Sequence, residues 1–153
     1  TLEHLKDLGD EVSPASRDAL EYLKKKYKEK KENMLSAKKV ALAVTKALDE
    51  KKGIDIKLLR IEKISSLADY FVICTGTVNT HVKTLCDYAE YTMEQLGEPM
   101  LGREGHRGNS WELLDFGSVV VHVFTDEARK FYDLERLWAD AEFVDLSEIV
   151  NPE

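Results

Sequence analysis

The run Tyr70–Thr75 (YFVICT) decides the fold of this chain, because six consecutive apolar or β-branched residues stand between Asp69 and Gly76. A run of this length, bounded by turn-forming residues, is typical of a strand that is buried on both faces. Such a strand needs neighbouring strands at its edges and further layers above and below. The sequence therefore predicts that Tyr70–Thr75 is a central strand of a covered sheet.

On the N-terminal side of this strand, the pattern predicts one helix and one further strand. From Leu35 to Gly53 apolar residues recur at intervals of three and four, the spacing of a helix that buries one face. The segment Ile54–Ile61 (IDIKLLRI) is rich in β-branched residues, and Ile54, Ile56 and Leu58 alternate with polar ones as in a strand. The predicted buried stripe of the helix consists of Val40, Val44, Ala47 and Leu48.

On the C-terminal side, the pattern predicts a helix, a hairpin and a last helix. One apolar stripe runs from about Asn79 to Leu96, and Gly97 follows as the helix end. The segments predicted next are a glycine-rich connection over residues 99–109, a hairpin of Trp111–Phe116 with Val119–Phe124, a helix from Asp126 carrying Phe131, Leu134, Leu137 and Trp138, and an acidic tail from Asp140. This order predicts an α/β fold with a single mixed β-sheet flanked by helices.

Charge is distributed unevenly along the 153 residues, whose length suits one domain with an appendage. Residues 1–33 hold eight basic and eight acidic side chains, so the whole net charge of −7 lies in residues 34–153. An acidic body is a poor direct binder of nucleic acid, because phosphates select basic surfaces. It suits a basic protein partner, because opposite potentials steer association.

Two further features of the sequence indicate the cellular compartment of the protein. No apolar run approaches the roughly 18 residues that a membrane span requires. Cys74 and Cys86 lie inside apolar patterns and outside any CxxC or His/Cys cluster, which indicates buried free thiols in a reducing compartment. We therefore expect a cytoplasmic protein without a membrane partner.

The chain is predicted to divide into three segments. Ser13-Pro14 is a helix start and Lys24–Glu32 (KKKYKEKKE) is a basic run, so residues 1–33 are predicted to form a helical appendage with a basic linker. Residues 34–141 are predicted to form the domain, and residues 142–153 an acidic C-terminal tail.

Two patterns that could carry ligand chemistry are incomplete. Gly102, Gly105 and Gly108 do not form GxGxxG and precede a strand, so a mobile contact loop is favoured over a phosphate loop. His122 stands within a strand without a second ligand at metal spacing, which favours a hydrogen-bonded structural role.

An enzymatic alternative remains open. The turn Cys74-Thr75-Gly76-Thr77 resembles the strand-to-helix start of nucleotidyltransferases, whose two-metal chemistry needs at least two converging carboxylates. Here Asp115 stands alone and the chain has no DxD pair. We therefore predict a nucleotidyltransferase-like scaffold without catalysis, cofactor or metal, and keep a nucleotide-binding or nucleotidyltransferase-like enzyme as the alternative.

The strand that begins at Trp111 carries large apolar groups at both parities, Trp111 and Leu113 on one side and Leu114 and Phe116 on the other. One side must fill the core, whereas the other is either covered by a helix or exposed to a partner. Tyr132, Arg136 and Trp138 add residue types that are enriched at binding hot spots. A core position is an open alternative for Trp111 and Trp138.

Motifs in unbroken order from Leu35 to Ala141 resemble the ribosomal silencing factors, the Iojap-related family. They are Ala68-Asp69-Tyr70-Phe71-Val72-Ile73, Thr75-Gly76-Thr77, Glu104-Gly105, Trp111, Leu114-Asp115-Phe116-Gly117, Val119-Val120-Val121-His122-Val123-Phe124 and Phe131-Tyr132-Asp133-Leu134-Glu135-Arg136-Leu137-Trp138. Val78 and Ser118 depart from the family, which more often has a small polar residue and an acidic residue at these positions.

This resemblance implies a binding protein of translation control. Such factors bind the large ribosomal subunit at its fourteenth protein and block joining of the small subunit when nutrients are scarce. The expected centre of the contact is Trp111, Leu113 and Asp115, with Tyr132 and Arg136 beside it. A homodimer of the free protein is compatible with the same aromatic surface.

The appendage lies outside this match. It faintly resembles the C-terminal tail of bacterial HD-domain phosphohydrolases, through Leu5, Gly9, Pro14, Ala19 and Tyr22-Leu23. That resemblance implies that the chain is the silencing-factor part of a larger fusion. A cloning remnant and a local extension are the alternatives.

Overall fold

The computed structural model describes residues 18–22, 24–25, 36–106, 108 and 110–150. The chain divides into two compact units, Thr1–Leu35 and Ser36–Glu153. In the first unit, residues 18–22 and 24–25 are helical. The predicted helix start at Ser13-Pro14 and most of the basic run lie outside the described residues.

The second unit contains four helices and six strands among the residues that the structure describes. In chain order they are α1 Ala37–Glu50, β1 Ile54–Arg60, β2 Tyr70–Gly76, α2 Asn79–Gln95, β3 Gly102–His106, β4 Trp111–Asp115, β5 Val119–Thr125, α3 Asp126–Tyr132, α4 Leu134–Leu137 and β6 Glu142–Phe143. None of the described helices is long and apolar enough to cross a membrane.

The six strands form one mixed sheet in the order β3-β4-β5-β2-β1-β6. β2 and β5 are parallel, and every other neighbouring pair is antiparallel. All seven residues of β2 are buried. The predicted central strand, the predicted hairpin of β4 with β5 and the predicted α/β fold around a single mixed sheet are therefore confirmed.

Two long helices, α1 and α2, cover one face of the sheet. α1 begins after Ser36, whose side-chain oxygen accepts a hydrogen bond from the Lys39 N–H at 3.3 Å. The predicted stripe of α1 is buried throughout, as is that of α2 except for Leu96. Leu96 is 51% exposed because α2 ends at Gln95 and the chain turns away at Gly97, which has a φ of 81°.

The approach of the turn after α1 to β2 requires glycine at position 53. A Cβ at Gly53 would lie 2.6 Å from Cys74 Sγ and 2.9 Å from the Leu48 carbonyl oxygen. Cys74 and Cys86 are free and buried, as predicted. Burial raises the pKa of the Cys74 thiol to about 12, so it is protonated and unreactive near neutral pH.

The predicted glycine-rich connection over residues 99–109 is wrong in its central part, which forms the edge strand β3. β3 pairs antiparallel with β4 along its whole length, from Gly102 opposite Asp115 to His106 opposite Trp111. Arg103 holds this strand against α2, because its guanidinium binds Asp87 at 2.8 Å and Glu90 at 3.0 Å. The same guanidinium binds the buried carboxylate of Glu112 at 2.9 Å.

The predicted single last helix is divided into α3 and α4. Asp133 separates them in the left-handed conformation, with a φ of 49°. Phe131, which precedes this break, and Leu137, which follows it, are 75% and 74% exposed. The prediction of one continuous helix from Asp126 is therefore wrong.

The first strand departs from simple alternation at its beginning. The pairing of β1 with β2 shifts register between Ile54 and Lys57, where Asp55 has a φ of 48°. This bulge leaves Ile54 37% exposed, whereas Ile56 and Leu58 are buried. At the other end of β1, Leu59 and Arg60 pair with β6, so the acidic C-terminal segment begins as an edge strand.

Candidate protein-binding surface

Alternate side chains of β4 point to the two faces of the sheet. Glu112 and Leu114 are buried on the face that α1 and α2 cover. Trp111, Leu113 and Asp115 lie on the other face, where α3 and α4 pack, and each is partly buried. One parity of β4 therefore fills the core, and the other is only partly covered.

Trp111 belongs to an aromatic cluster with His122, Phe124 and Tyr132. The indole stacks on Phe124 with ring centroids 5.1 Å apart and lies 4.5 Å from the Tyr132 ring. The indole Nε1–H donates to His122 Nδ1 at 3.2 Å. Trp111 therefore packs into the fold and is also partly exposed. This position is intermediate between the two alternatives that the sequence left open, a core residue and an exposed contact residue.

His122 is the polar centre of this cluster. Its Nδ1 accepts the indole hydrogen bond, and its ring meets Phe71 edge to face at 5.1 Å. Burial lowers the pKa of His122 to about 4, so the imidazole is neutral at physiological pH. The predicted hydrogen-bonded structural role of His122 is confirmed.

Leu113 and Asp115 extend the same face away from the aromatic cluster. Leu113 lines a small surface cavity of about 150 Å³ together with Glu104, Gly105 and Trp111. Asp115 lies about 13 Å from Trp111 along the strand, at about 3.3 Å per residue. Its Oδ1 accepts a hydrogen bond from the Gly117 N–H at 2.8 Å, so the carboxylate serves the turn into β5.

Tyr132 and Arg136 lie on α3 and α4, on the same side of the sheet as Trp111. Tyr132 is partly buried against Trp111, whereas Arg136 is exposed. Phe131 and Leu137, which the sequence did not single out as contact residues, flank them as large exposed apolar side chains. We call Phe131, Tyr132, Arg136 and Leu137 the α3–α4 surface.

Arg129 fixes α3 and α4 from beneath, although sequence reasoning gave it no role. Its Nη1 donates to the Asp55 carbonyl oxygen at 2.7 Å and to Thr75 Oγ1 at 2.8 Å. Its Nε donates to Glu135 Oε1 at 2.8 Å. One buried guanidinium therefore joins both short helices to the β1 bulge and to the end of β2. The signal that could have found it is an arginine that directly follows Ala128 and lies three residues before the partly buried Tyr132.

The features of the enzymatic alternative do not meet in one place. Gly76 pairs with Thr125 at one end of β5, whereas Asp115 pairs with Val120 near the other. The two positions are about 16 Å apart along the sheet. A cavity of about 740 Å³ beside Thr77 is lined instead by residues that include Asp126 and Glu127. Among the described residues, no three His, Cys, Asp or Glu side chains are placed to hold a metal ion.

Comparison with known proteins places this geometry in a family. A family model described as "Ribosomal silencing factor during starvation" matches residues 34–153. The ribosomal silencing factor of Bacillus subtilis is 40% identical over 119 residues, which cover 78% of this chain and 98% of that protein. A mouse protein named "Mitochondrial assembly of ribosomal large subunit protein 1" is 33% identical over 94 residues, covering 60% of this chain and 41% of its own length.

A solved structure is similar as well. The crystal structure of a protein from Chromobacterium violaceum superposes with a TM-score of 0.67 at 34% sequence identity. The match covers 69% of this chain and 88% of that one. The fold and the sequence thus point to the same relatives.

Proposed function

Because this chain belongs to the family of ribosomal silencing factors, we propose that it binds the large ribosomal subunit and represses translation by blocking subunit joining during starvation. The names of its relatives support a role at the ribosome, and the mouse relative's name refers to the large subunit. The protein acts as a binding factor of the cytoplasm, without catalysis or cofactor.

The partner within the large subunit is its fourteenth protein. The charge of this chain supports a protein partner, because residues 34–153 carry the whole net charge of −7. Ribosomal proteins are mostly basic, so complementary potentials accelerate the encounter. RNA is a poor direct partner for the same body, because both are acidic.

The observation that carries this proposal is the α3–α4 surface beside the aromatic cluster. Phe131 and Leu137 are 75% and 74% exposed on the two short helices that flank the aromatic cluster, and exposed apolar area of this kind supports a protein-binding surface. Tyr132 and Arg136 belong to residue types that are frequent at hot spots. Trp111 and Leu113 extend the contact along β4, and Asp115 lies at its far end.

The mechanism is steric. A domain that occupies the face of the large subunit where the small subunit docks prevents joining without any chemical change. The same surface is available for a homodimer of the free protein, which would compete with ribosome binding. Sedimentation equilibrium of the free protein tests that part separately.

Sedimentation with purified subunits tests the main proposal. Wild-type protein should pellet with isolated large subunits and reduce 70S formation in a sucrose gradient. The double variant Phe131→Ser/Leu137→Ser should do neither, because it removes the exposed apolar area without touching the buried core. Tyr91→Ser is the matched control, since Tyr91 is 60% exposed on α2 at the opposite face.

Two results would contradict the proposal. Unchanged 70S formation at saturating wild-type protein excludes the steric mechanism. If the Tyr91→Ser variant loses binding and the double variant retains it, the contact lies on the α2 face.

A further inference from the structure

A groove beside α3 combines a carboxylate with exposed aromatic surface. It has a volume of about 450 Å³ and opens between α3, the end of β5 and the residue before β4. Its lining consists of Ser110, Thr125, Glu127, Ala128, Phe131 and Tyr132. Glu127 and Phe131 are one helical turn apart, so their side chains lie next to each other along the groove.

The carboxylate of Glu127 is available for an external cation. In the described part of the chain, the two nearest basic side chains of α3 are engaged elsewhere. Lys130 binds Asp126 at 2.8 Å, and Arg129 binds Glu135 at 2.8 Å. No described side chain forms an ion pair with Glu127, which is exposed at the rim of the groove.

The aromatic part of the groove presents a ring face. Phe131 is 75% exposed and meets Tyr132 edge to face, with centroids 5.1 Å apart and an interplanar angle of 89°. The exposed face of such a ring attracts a cation through its quadrupole. A carboxylate one turn away adds charge-assisted hydrogen bonds to the same cation.

This combination selects one class of occupant. An anion would be repelled by Glu127 and by the neighbouring Asp126. An apolar side chain would cover the carboxylate without pairing it, which is unfavourable. Between the two basic side chains, a guanidinium fits better than an ammonium, because its plane stacks on an aromatic face while its forked N–H groups reach a carboxylate.

We propose that this groove holds an arginine side chain of a basic protein partner. The identity of that partner, the large-subunit protein, rests on the function proposed above, whereas the chemistry of the groove does not. The net charge of −7 in residues 34–153 agrees with a cationic occupant. The groove adds to the α3–α4 surface a position that recognises charge and shape together.

Two substitutions test the two halves of the groove on isolated large subunits. Glu127→Gln keeps the size and removes the charge, and Phe131→Leu keeps an apolar side chain and removes the ring. Each should weaken binding about three- to tenfold, and Phe131→Tyr should retain it, because a cation on an aromatic face contributes on the order of 1 kcal/mol. Glu94→Gln is the control, since Glu94 is exposed on α2. Affinities of Glu127→Gln and Phe131→Leu within twofold of wild type would overturn the inference.

A second measurement is independent of the ribosome. Titration with N-acetyl-arginine amide should shift the amide NMR signals of Glu127, Ala128 and Phe131, whereas N-acetyl-citrulline amide, which has the same shape without charge, should not. If wild-type protein does not bind large subunits but the arginine compound shifts these signals, the proposed function is wrong and the proposed arginine site in the groove is supported. Equal responses to the two compounds would overturn the groove itself.

Discussion

The two faces of the sheet are covered in different ways. On one face, α1 and α2 have 14 and 17 residues and bury side chains such as Val44, Leu48 and Leu85 completely. On the other face, α3 and α4 have only 7 and 4 residues and leave Phe131 and Leu137 exposed. Both faces contribute buried residues to the core, since Phe71, Ile73 and Phe124 are buried on the second face, but the short helices also leave large apolar side chains exposed there.

The two neighbouring leucines of β4 give the sharpest test of this difference. Leu114→Ala should lower the free energy of unfolding by ~2–5 kcal/mol, because Leu114 is fully buried on the face of β4 that α2 covers. Leu113→Ala, on the partly covered face, should lower it by less than about 1 kcal/mol. Urea unfolding followed by circular dichroism measures both. Equal losses would mean that the two faces contribute equally to stability.

The two arginine networks separate stability from binding. Arg103→Met leaves the buried Glu112 carboxylate without its ion pair, and Arg129→Met removes the hydrogen bonds to Thr75 and Glu135. Each should cost on the order of 2–3 kcal/mol of stability. Only Arg129→Met should also weaken large-subunit binding at a temperature where both variants are folded, because Arg129 fixes α3 and α4. If Arg103→Met weakens large-subunit binding as much as Arg129→Met does, the claim that Arg103 affects only stability is wrong.

The aromatic cluster should make stability depend on pH through His122. Its folded-state pKa of about 4 lies below the unfolded value near 6.5, so the unfolded chain binds more protons between these pH values. Stability should therefore fall by about 2 kcal/mol from pH 7 to pH 5. In His122→Gln, which keeps an acceptor for the Trp111 indole, this part of the loss should disappear. If the variant loses as much stability as the wild type between pH 7 and pH 5, titratable groups other than His122 cause the loss.

Salt should separate the contribution of charge from that of apolar contact at the candidate protein-binding surface. Raising the ionic strength from about 0.05 to 0.5 M should slow association with the large subunit, because exposed charges are screened within a few ångströms. Trp111→Ala should instead speed dissociation, and it should also lower stability, because Trp111 packs on Phe124 and Tyr132. Stopped-flow fluorescence gives both rate constants. Association that is insensitive to salt would contradict electrostatic steering.

Elements with strong apolar periodicity could be predicted from the sequence, and elements held by tertiary contacts could not. β2, α1 and α2 carry their signal in their own residues. β3 has the sequence GREGH, which lacks strand-forming side chains; its pairing with β4 and the ion pairs of Arg103 determine its structure. The break at Asp133 was missed because its left-handed conformation interrupts an otherwise helical pattern.

The candidate surface likewise has features that could be predicted from the sequence and features that depend on tertiary contacts. The residue types at Trp111, Tyr132 and Arg136 could be recognised from the sequence. The bond from Trp111 to His122 depends on the register of β4 with β5, which no local pattern contains. The exposure of Phe131 and Leu137 depends on how the two short helices pack on the sheet, which no local pattern contains either. The family, and with it the role at the ribosome, came from motifs rather than from any of these contacts.

The parallel pairing of β2 with β5 also constrains how the chain folds during its own synthesis. The two strands join residues far apart in sequence, and β4 and β3 can add to the sheet only through β5. Such long-range pairing forms slowly, because the entropic cost of closing a large loop comes before the stabilising contacts form. On a translating ribosome, β4 and β3 cannot join β2 and β1 in the sheet until Val119–Thr125 has left the exit tunnel. The candidate surface on β4, α3 and α4 therefore forms only after β5 and both short helices have been synthesised.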